Sequence, residues 1–176
     1  MGYRRNGACA ALVAMGLAFG ATTVAAQDMI GEIVATIDGE AREWRALGPD
    51  GSGTDYNTYL EVFGPMQSVS ITGFPPGQVT TRGTLQITFT AMSGETGTFD
   101  QEVIYAPDGM RGMWTSLEGE DLITLEDFEA TGAGGVVSGR VSGRLCLKES
   151  LFAEPDPDRC MGIEGQFNSS LPPASD

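Results

Sequence analysis

Residues 84–91 read Thr84-Leu85-Gln86-Ile87-Thr88-Phe89-Thr90-Ala91, with an apolar side chain at every odd position and a polar one between. Successive side chains of an extended chain point to opposite sides, so a period of two marks a strand with one buried and one wet face. Val69, Ile71 and Gly73 alternate in the same way with Ser68, Ser70 and Thr72, and Leu60 and Val62 with Tyr59, Glu61 and Phe63. Gly64-Pro65 and Pro75-Pro76-Gly77 separate these runs, as turn residues do.

Further strands are predicted at Phe99 to Tyr105, Arg111 to Ser116, Leu122 to Glu129, Val136 to Leu147 and Met161 to Ser170. Upstream, Ile33 to Ile37 and Glu40 to Ala46 flank Asp38-Gly39, a dipeptide that tolerates the positive φ angles of a two-residue type I′ turn. That hairpin sets Ile33 opposite Trp44, and it also sets the charged Arg42 against Ala35. No segment after residue 26 holds a helical period over three turns. The 25 glycines, about twice the usual ~7% share, suit a turn-rich chain. The expected fold is all-β, an antiparallel β-sandwich of about ten short strands with one disulfide, formed by residues 27–176 as a single domain. An outer-membrane barrel is the competing architecture. It is disfavoured by scarce aromatics (Trp44, Trp114, Tyr56, Tyr59 and Tyr105) and by the polar ending Leu171-Pro172-Pro173-Ala174-Ser175-Asp176.

Residues 1–26 have the design of a signal peptide: Arg4 and Arg5, an apolar Ala8 to Phe19, then the small residues Val24-Ala25-Ala26. Cleavage after Ala26 and a periplasmic or secreted location are expected. The apolar run is too short for a membrane helix of ~20 residues, so no membrane span is expected. Removing it leaves eight Lys and Arg against 24 Asp and Glu, a difference of −16, with Lys148 the sole lysine. So acidic a surface repels nucleic acid and anionic lipid, while keeping the protein soluble or attracting a cationic partner.

Cys146 and Cys160 follow that segment, and in an oxidising compartment such a pair is normally a disulfide. Their spacing is not that of a CxxC redox motif, and the chain-entropy model assigns a loop of this size ~3 kcal/mol of stabilisation. If the two cysteines face each other across an antiparallel pair, Leu145 meets Met161, Gly143 meets Ile163, Val141 meets Gly165 and Gly139 meets Phe167. Each glycine then faces a larger residue, which suits a buried face. The opposite, wet face carries the disulfide together with Arg144, Ser142 and Arg140. The predicted hairpin is Val137 to Leu147 with Met161 to Ser169, and Leu145, Val141, Ile163 and Phe167 are its buried residues.

The opening Ala35-Thr36-Ile37-Asp38-Gly39 with Trp44 beyond it, and the close Val141-Ser142-Gly143-Arg144-Leu145 followed by Ile163-Glu164-Gly165-Gln166-Phe167, carry a resemblance. In these motifs the chain resembles a loose group of small exported bacterial β-sandwich proteins of uncharacterised function. Those open with an AT-x-D/N-G hairpin and close with paired G-x-F/L strands. The resemblance implies the fold and export, and it brings no catalytic residues.

A chain without histidine cannot run Ser-His-Asp, Cys-His or His-ligated zinc chemistry. Other constellations have two readings each. Glu154, Asp156 and Asp158 could converge on calcium, but alternate residues of an extended segment lie ~6 to 7 Å apart, which favours solvated loop acids. Asp50 to Glu61 has the length of an EF-hand loop with oxygen donors at Ser52, Thr54 and Thr58, yet Asp55 stands where the sharp turn needs glycine. Glu118, Glu120, Asp121, Glu126, Asp127 and Glu129 could supply a glycosidase pair or simply a solvated face. Ser138, Arg140, Ser142 and Arg144 could read an anion or form the wet side of a strand. Trp44 and Trp114 could stack on sugars or fill the core. The expectation is a non-enzymatic binding or structural module without metal or cofactor, whose partner is an unidentified protein or small molecule. A calcium-binding module and a carboxylate-based glycosidase are the alternatives.

Overall fold

The computed structural model describes residues 28–48 and 58–173. The segment 1–26 and most of the Asp50 to Glu61 loop lie outside those residues. Ten antiparallel strands form: β1 (Met29–Ile37), β2 (Glu40–Leu47), β3 (Tyr59–Phe63), β4 (Met66–Phe74), β5 (Thr84–Met92), β6 (Thr98–Ala106), β7 (Met113–Thr115), β8 (Ile123–Thr131), β9 (Gly134–Lys148) and β10 (Asp156–Leu171). Every predicted strand is present.

Pairing runs β10, β1, β2, β4, β5, β6, β7, β9, and β9 pairs β10 again, so the path returns to its start. One broad wall is β3-β4-β5-β6 and the other β2-β1-β10-β9-β8. They join at two narrow corners, Arg45 and Ala46 against Phe74 and Gly73, and Ile104 and Tyr105 against Thr115 and Trp114. β3 and β8 each pair on one side alone among the described residues. The return of the path to its start is invisible in the periodicity, because alternation tells which face of a strand is buried and not which strand lies beside it.

Side chains from the two walls meet inside. Phe89 of β5 packs edge-on against Phe128 of β8 at 5.9 Å, and Trp44 of β2 against Tyr105 of β6 at 6.1 Å. At the other end of the interior, Gln67 Nε2 crosses from β4 to donate to the Ala130 carbonyl at 2.7 Å. Exposed positions of β9 and β10 carry Arg140, Ser142, Arg144, Glu164, Gln166 and Asn168. An apolar interior under a charged exterior is the reverse of a membrane barrel, which shows an apolar band to lipid.

The first hairpin has the expected register, Ile33 with Trp44 and Ala35 with Arg42. Asp38 and Gly39 take φ of 49° and 82°, the turn that a right-twisted hairpin prefers. Arg42 is not an error in the pattern. It lies at the rim of the interior, where its guanidinium sits 5.5 Å from the Tyr105 ring centroid and pairs with Glu40 at 2.6 Å. Its stem covers apolar surface and its terminal nitrogen reaches Glu40, while Nε is enclosed without a hydrogen-bond partner among the described residues.

The β9–β10 register is also the expected one, with Cys146 opposite Cys160, Gly139 opposite Phe167 and Val141 opposite Gly165. The cysteines are bonded, Cα atoms 4.0 Å apart, and Leu145, Val141, Ile163 and Phe167 are buried. A side chain at Gly139 would come within 2.8 Å of the Phe167 ring, so that glycine does meet the larger residue opposite. Gly165 is crowded instead by Ala35 of β1, and Gly143 by Leu122 before β8. The glycines thus admit three neighbouring elements rather than one.

Three local features depart from simple alternation. Cys146, expected on the wet face, is fully buried, because Thr115 flanks it on one side and Cys160 on the other. Ser70 and Thr72 are buried on the side opposite the core, where Gln86 Nε2 donates to Ser70 Oγ at 2.9 Å. β8 buries Ile123, Leu125 and then Phe128, since a bulge between Leu125 and Asp127 shifts the register.

Two outcomes are expected. Phe167→Ala should lower unfolding free energy by ~3 to 5 kcal/mol in a denaturant titration, since it opens a cavity under Gly139. Burial raises the Tyr105 phenol above its usual 10.0, opposed by Arg42. The neutral phenol therefore contributes stability that is complete below about pH 10 and lost as pH rises through the raised value. Tyr105→Phe should flatten the alkaline fall of stability measured by the same titration.

Candidate functional site

The end of β9 and the start of β10 carry the site. Asp156 pairs with Leu147, Pro157 to Arg159 bulge outward, and Cys160 pairs with Cys146. Proline is tolerated in such a bulge, where no ladder needs its missing N–H. Asp158 N–H donates to Asp156 Oδ1 at 3.0 Å, and Arg159 pairs with Glu149 at 2.9 Å. With the disulfide, these bonds tie the base of the loop between the strands. At its tip Ala153 N–H donates to the Ser150 carbonyl at 3.1 Å, closing a turn around Leu151 and Phe152. Phe152 is 98% exposed and Leu151 50%. The two exposed apolar side chains thus stand at the tip of a loop tied at its base.

At the foot of this loop, outside the ring where β6, β7 and β9 meet, lies a cleft of about 530 Å³. Glu102, Thr115, Glu118, Lys148 and Glu154 line it. Trp114 packs against the core, so its neighbour Thr115 lies on the opposite, outer side of β7, beneath the cleft, with its hydroxyl oxygen enclosed. Thr115 is 3% exposed, and its hydroxyl has no hydrogen-bond partner among the described residues. Leaving such a group unpaired costs ~1 to 3 kcal/mol. Lys148, Glu102, Glu118 and Glu154 take part in none of the ion pairs among the described residues.

The wall of the cleft depends on Gln101. Asp100 takes φ of 50° at a bulge in β6 that shifts the register against β5. Gln101 Oε1 accepts from the N–H groups of Leu122 at 2.8 Å and Ile123 at 2.6 Å, and its Nε2 donates to Thr98 Oγ1 at 2.7 Å. Below the corner this one side chain satisfies the backbone that a β6–β8 ladder would otherwise serve. Ser116 Oγ likewise accepts from Val103 N–H at 3.0 Å.

The residues singled out by sequence are dispersed. Glu154 reaches the cleft, whereas Asp156 stays in the ladder opposite Leu147 and Asp158 in the bulge beyond it. Among the described residues no group of three carboxylates or cysteines is placed to hold a metal ion. Of the β8 acids, Glu126 pairs with Arg140 at 2.9 Å, and Glu120 before it pairs with Arg144 at 2.8 Å. Both arginines of the supposed anion ladder are thereby occupied, and Glu118 alone of that acidic group lines the cleft. Glu61 lies within β3, and Thr58 is buried with an unpaired hydroxyl. The rest of the Asp50 to Glu61 loop lies outside the described residues. Trp44 is a core residue whose Nε1 donates to the Gly83 carbonyl at 2.6 Å, and Trp114 packs at the core's edge. Sequence reasoning missed Gln101, Thr115, Leu151 and Phe152. The adjacent apolar pair in an otherwise polar loop between the two cysteines was the one available signal.

No family model, curated protein or solved structure gives a significant match to this chain. Gln101→Leu should cost ~1 to 3 kcal/mol in a thermal or denaturant unfolding measurement, because it strands two backbone donors at the corner.

Proposed function

We propose that the protein is an exported, non-enzymatic binding module that docks a protein partner through Leu151 and Phe152. The observation that carries this reading is the nearly complete exposure of Phe152 on a loop closed by a disulfide. A side chain presented on a tied loop loses little freedom on binding, so more of its burial appears as affinity. Charge describes the partner further. Glu149, Glu154, Asp156 and Asp158 surround the tip against Lys148 and Arg159, on a chain of formal charge −14. The complementary surface is an apolar pocket rimmed by cationic side chains, which would also steer encounter. The disulfide accords with an oxidising compartment, where bonds of this kind persist. Export through cleavage after Ala26 belongs to the same proposal.

The immobilised mature protein, disulfide intact, should retain a specific partner from an envelope extract. Purified partner should then bind Phe152→Ser roughly thirtyfold more weakly, the loss of ~2 kcal/mol typical of an anchor residue. Binding should also weaken as salt rises. Equal binding by Phe152→Ser, at an unchanged melting temperature, would refute docking through this loop.

A further inference from the structure

We infer that the open edge of β3 takes up an extended segment of a protein partner, alternating apolar and cationic side chains, as one more strand. The two edges left by the ring differ in what meets them. On β8, Gln101 Oε1 accepts from Ile123 N–H at 2.6 Å, Thr98 Oγ1 donates to the Ile123 carbonyl at 3.4 Å, and Gln67 Nε2 donates to the Ala130 carbonyl at 2.7 Å. Side chains of the opposite wall thus cap part of that edge. β3 pairs with β4 from Tyr59 to Phe63, and among the described residues no side chain bonds to its backbone on the other edge. Alternate residues of an edge strand turn both N–H and C=O away from the sheet, and an added strand satisfies them.

The side chains of β3 describe that strand. Leu60 is buried and Val62 packs against the core, so positions of the added strand on their face take apolar residues. On the outer face Glu61 is exposed and belongs to none of the ion pairs among the described residues. No lysine or arginine lies between Arg45 and Arg82 in the sequence to offset it. Phe63, 59% exposed, ends a row that runs through Met66 of β4 to Met92 of β5. A lysine or arginine beside Glu61 gains an ion pair, and one beside Phe63 lays its stem and its charge against the ring. The outer positions of the added strand are therefore cationic. A second copy of this chain is a poor occupant, because two β3 edges would bring Glu61 of each towards the other on molecules of formal charge −14. The five residues of β3 offer a ladder of ~17 Å, the length of a short recognition segment. The inference does not rest on the docking of a partner at Phe152.

A short fluorescent peptide alternating valine and lysine, titrated into the disulfide-intact protein at low salt, tests it. The peptide should bind saturably and slow hydrogen exchange of the β3 amides. The same peptide with glutamate in place of lysine should not bind. An N-methylated version, which keeps the charges and cannot donate to a ladder, should bind at least about tenfold more weakly. Glu61→Lys and Phe63→Ser should each weaken binding about tenfold at an unchanged melting temperature. Glu129→Lys on β8 and Phe152→Ser should leave it unchanged. Absence of saturable binding would overturn the inference. So would equal binding of the N-methylated peptide, equal weakening by Glu61→Lys and Glu129→Lys, or full affinity in both Glu61→Lys and Phe63→Ser. Self-association of the free protein that protects the β3 amides would overturn it too, by assigning the edge to a second copy.

Discussion

The pairing of β9 with β10 is the constraint on which the other strands depend. β10 is bound on its other side by β1, and β9 on its other side by β8 and β7, so a change of register in this one pair would displace both halves of the ring. Because side chains alternate with a period of two, a slip of β10 by one residue against β9 would send Phe167 and Ile163 outward and bring Glu164 and Gln166 into the interior. The Cys146–Cys160 bond excludes that slip at the loop end. Glycines exclude it along the strand, since Gly139 and Gly165 stand where Phe167 and Ala35 leave no space for a side chain.

The same pair positions the surface features. The bulge at Pro157 to Arg159 exists because the chain must leave the ladder and still return to Cys160 in register. That detour holds out Leu151 and Phe152 and sets Glu154 against the cleft. Stability and the proposed recognition therefore share one short segment, and the covalent bond that serves the first would also pre-organise the second.

Much of the fold was legible because its strands obey a local rule. The pattern of residues 84–91, the Asp38-Gly39 turn and the cysteine pair each specify a geometry from adjacent or covalently linked residues. What was hidden depends on distant neighbours. Ser70 looks like a wet-face residue until Gln86 is known to lie across from it. Arg42 looks misplaced until Tyr105 is known to sit beneath it. The bulges at Asp100 and after Leu125 leave no compositional trace, yet one of them aims Gln101 at the backbone of Leu122 and Ile123. The site was harder still. Its acids are as common in sequence as the many solvated ones, and Thr115, like Thr58, is set apart by an enclosed hydroxyl without a partner, which only coordinates reveal. The glycosidase alternative rested on the acids from Glu118 to Glu129, two of which pair with Arg140 and Arg144, while the calcium alternative rested on the net charge and on the Asp50 to Glu61 loop, most of which lies outside the described residues.

The ring leaves β3 and β8 as the strands paired on one side alone among the described residues. An open edge offers unmatched N–H and C=O groups to the backbone of any other copy that drifts alongside. On β8 such an approach would bring Glu126, Asp127 and Glu129 of one molecule beside the same residues of another, with a single arginine near each set to offset them. Glu61 guards β3 in the same manner. The acidity of these strands is thus a barrier to fibrous self-assembly, strongest in dilute salt and weakened wherever counterions crowd the edge.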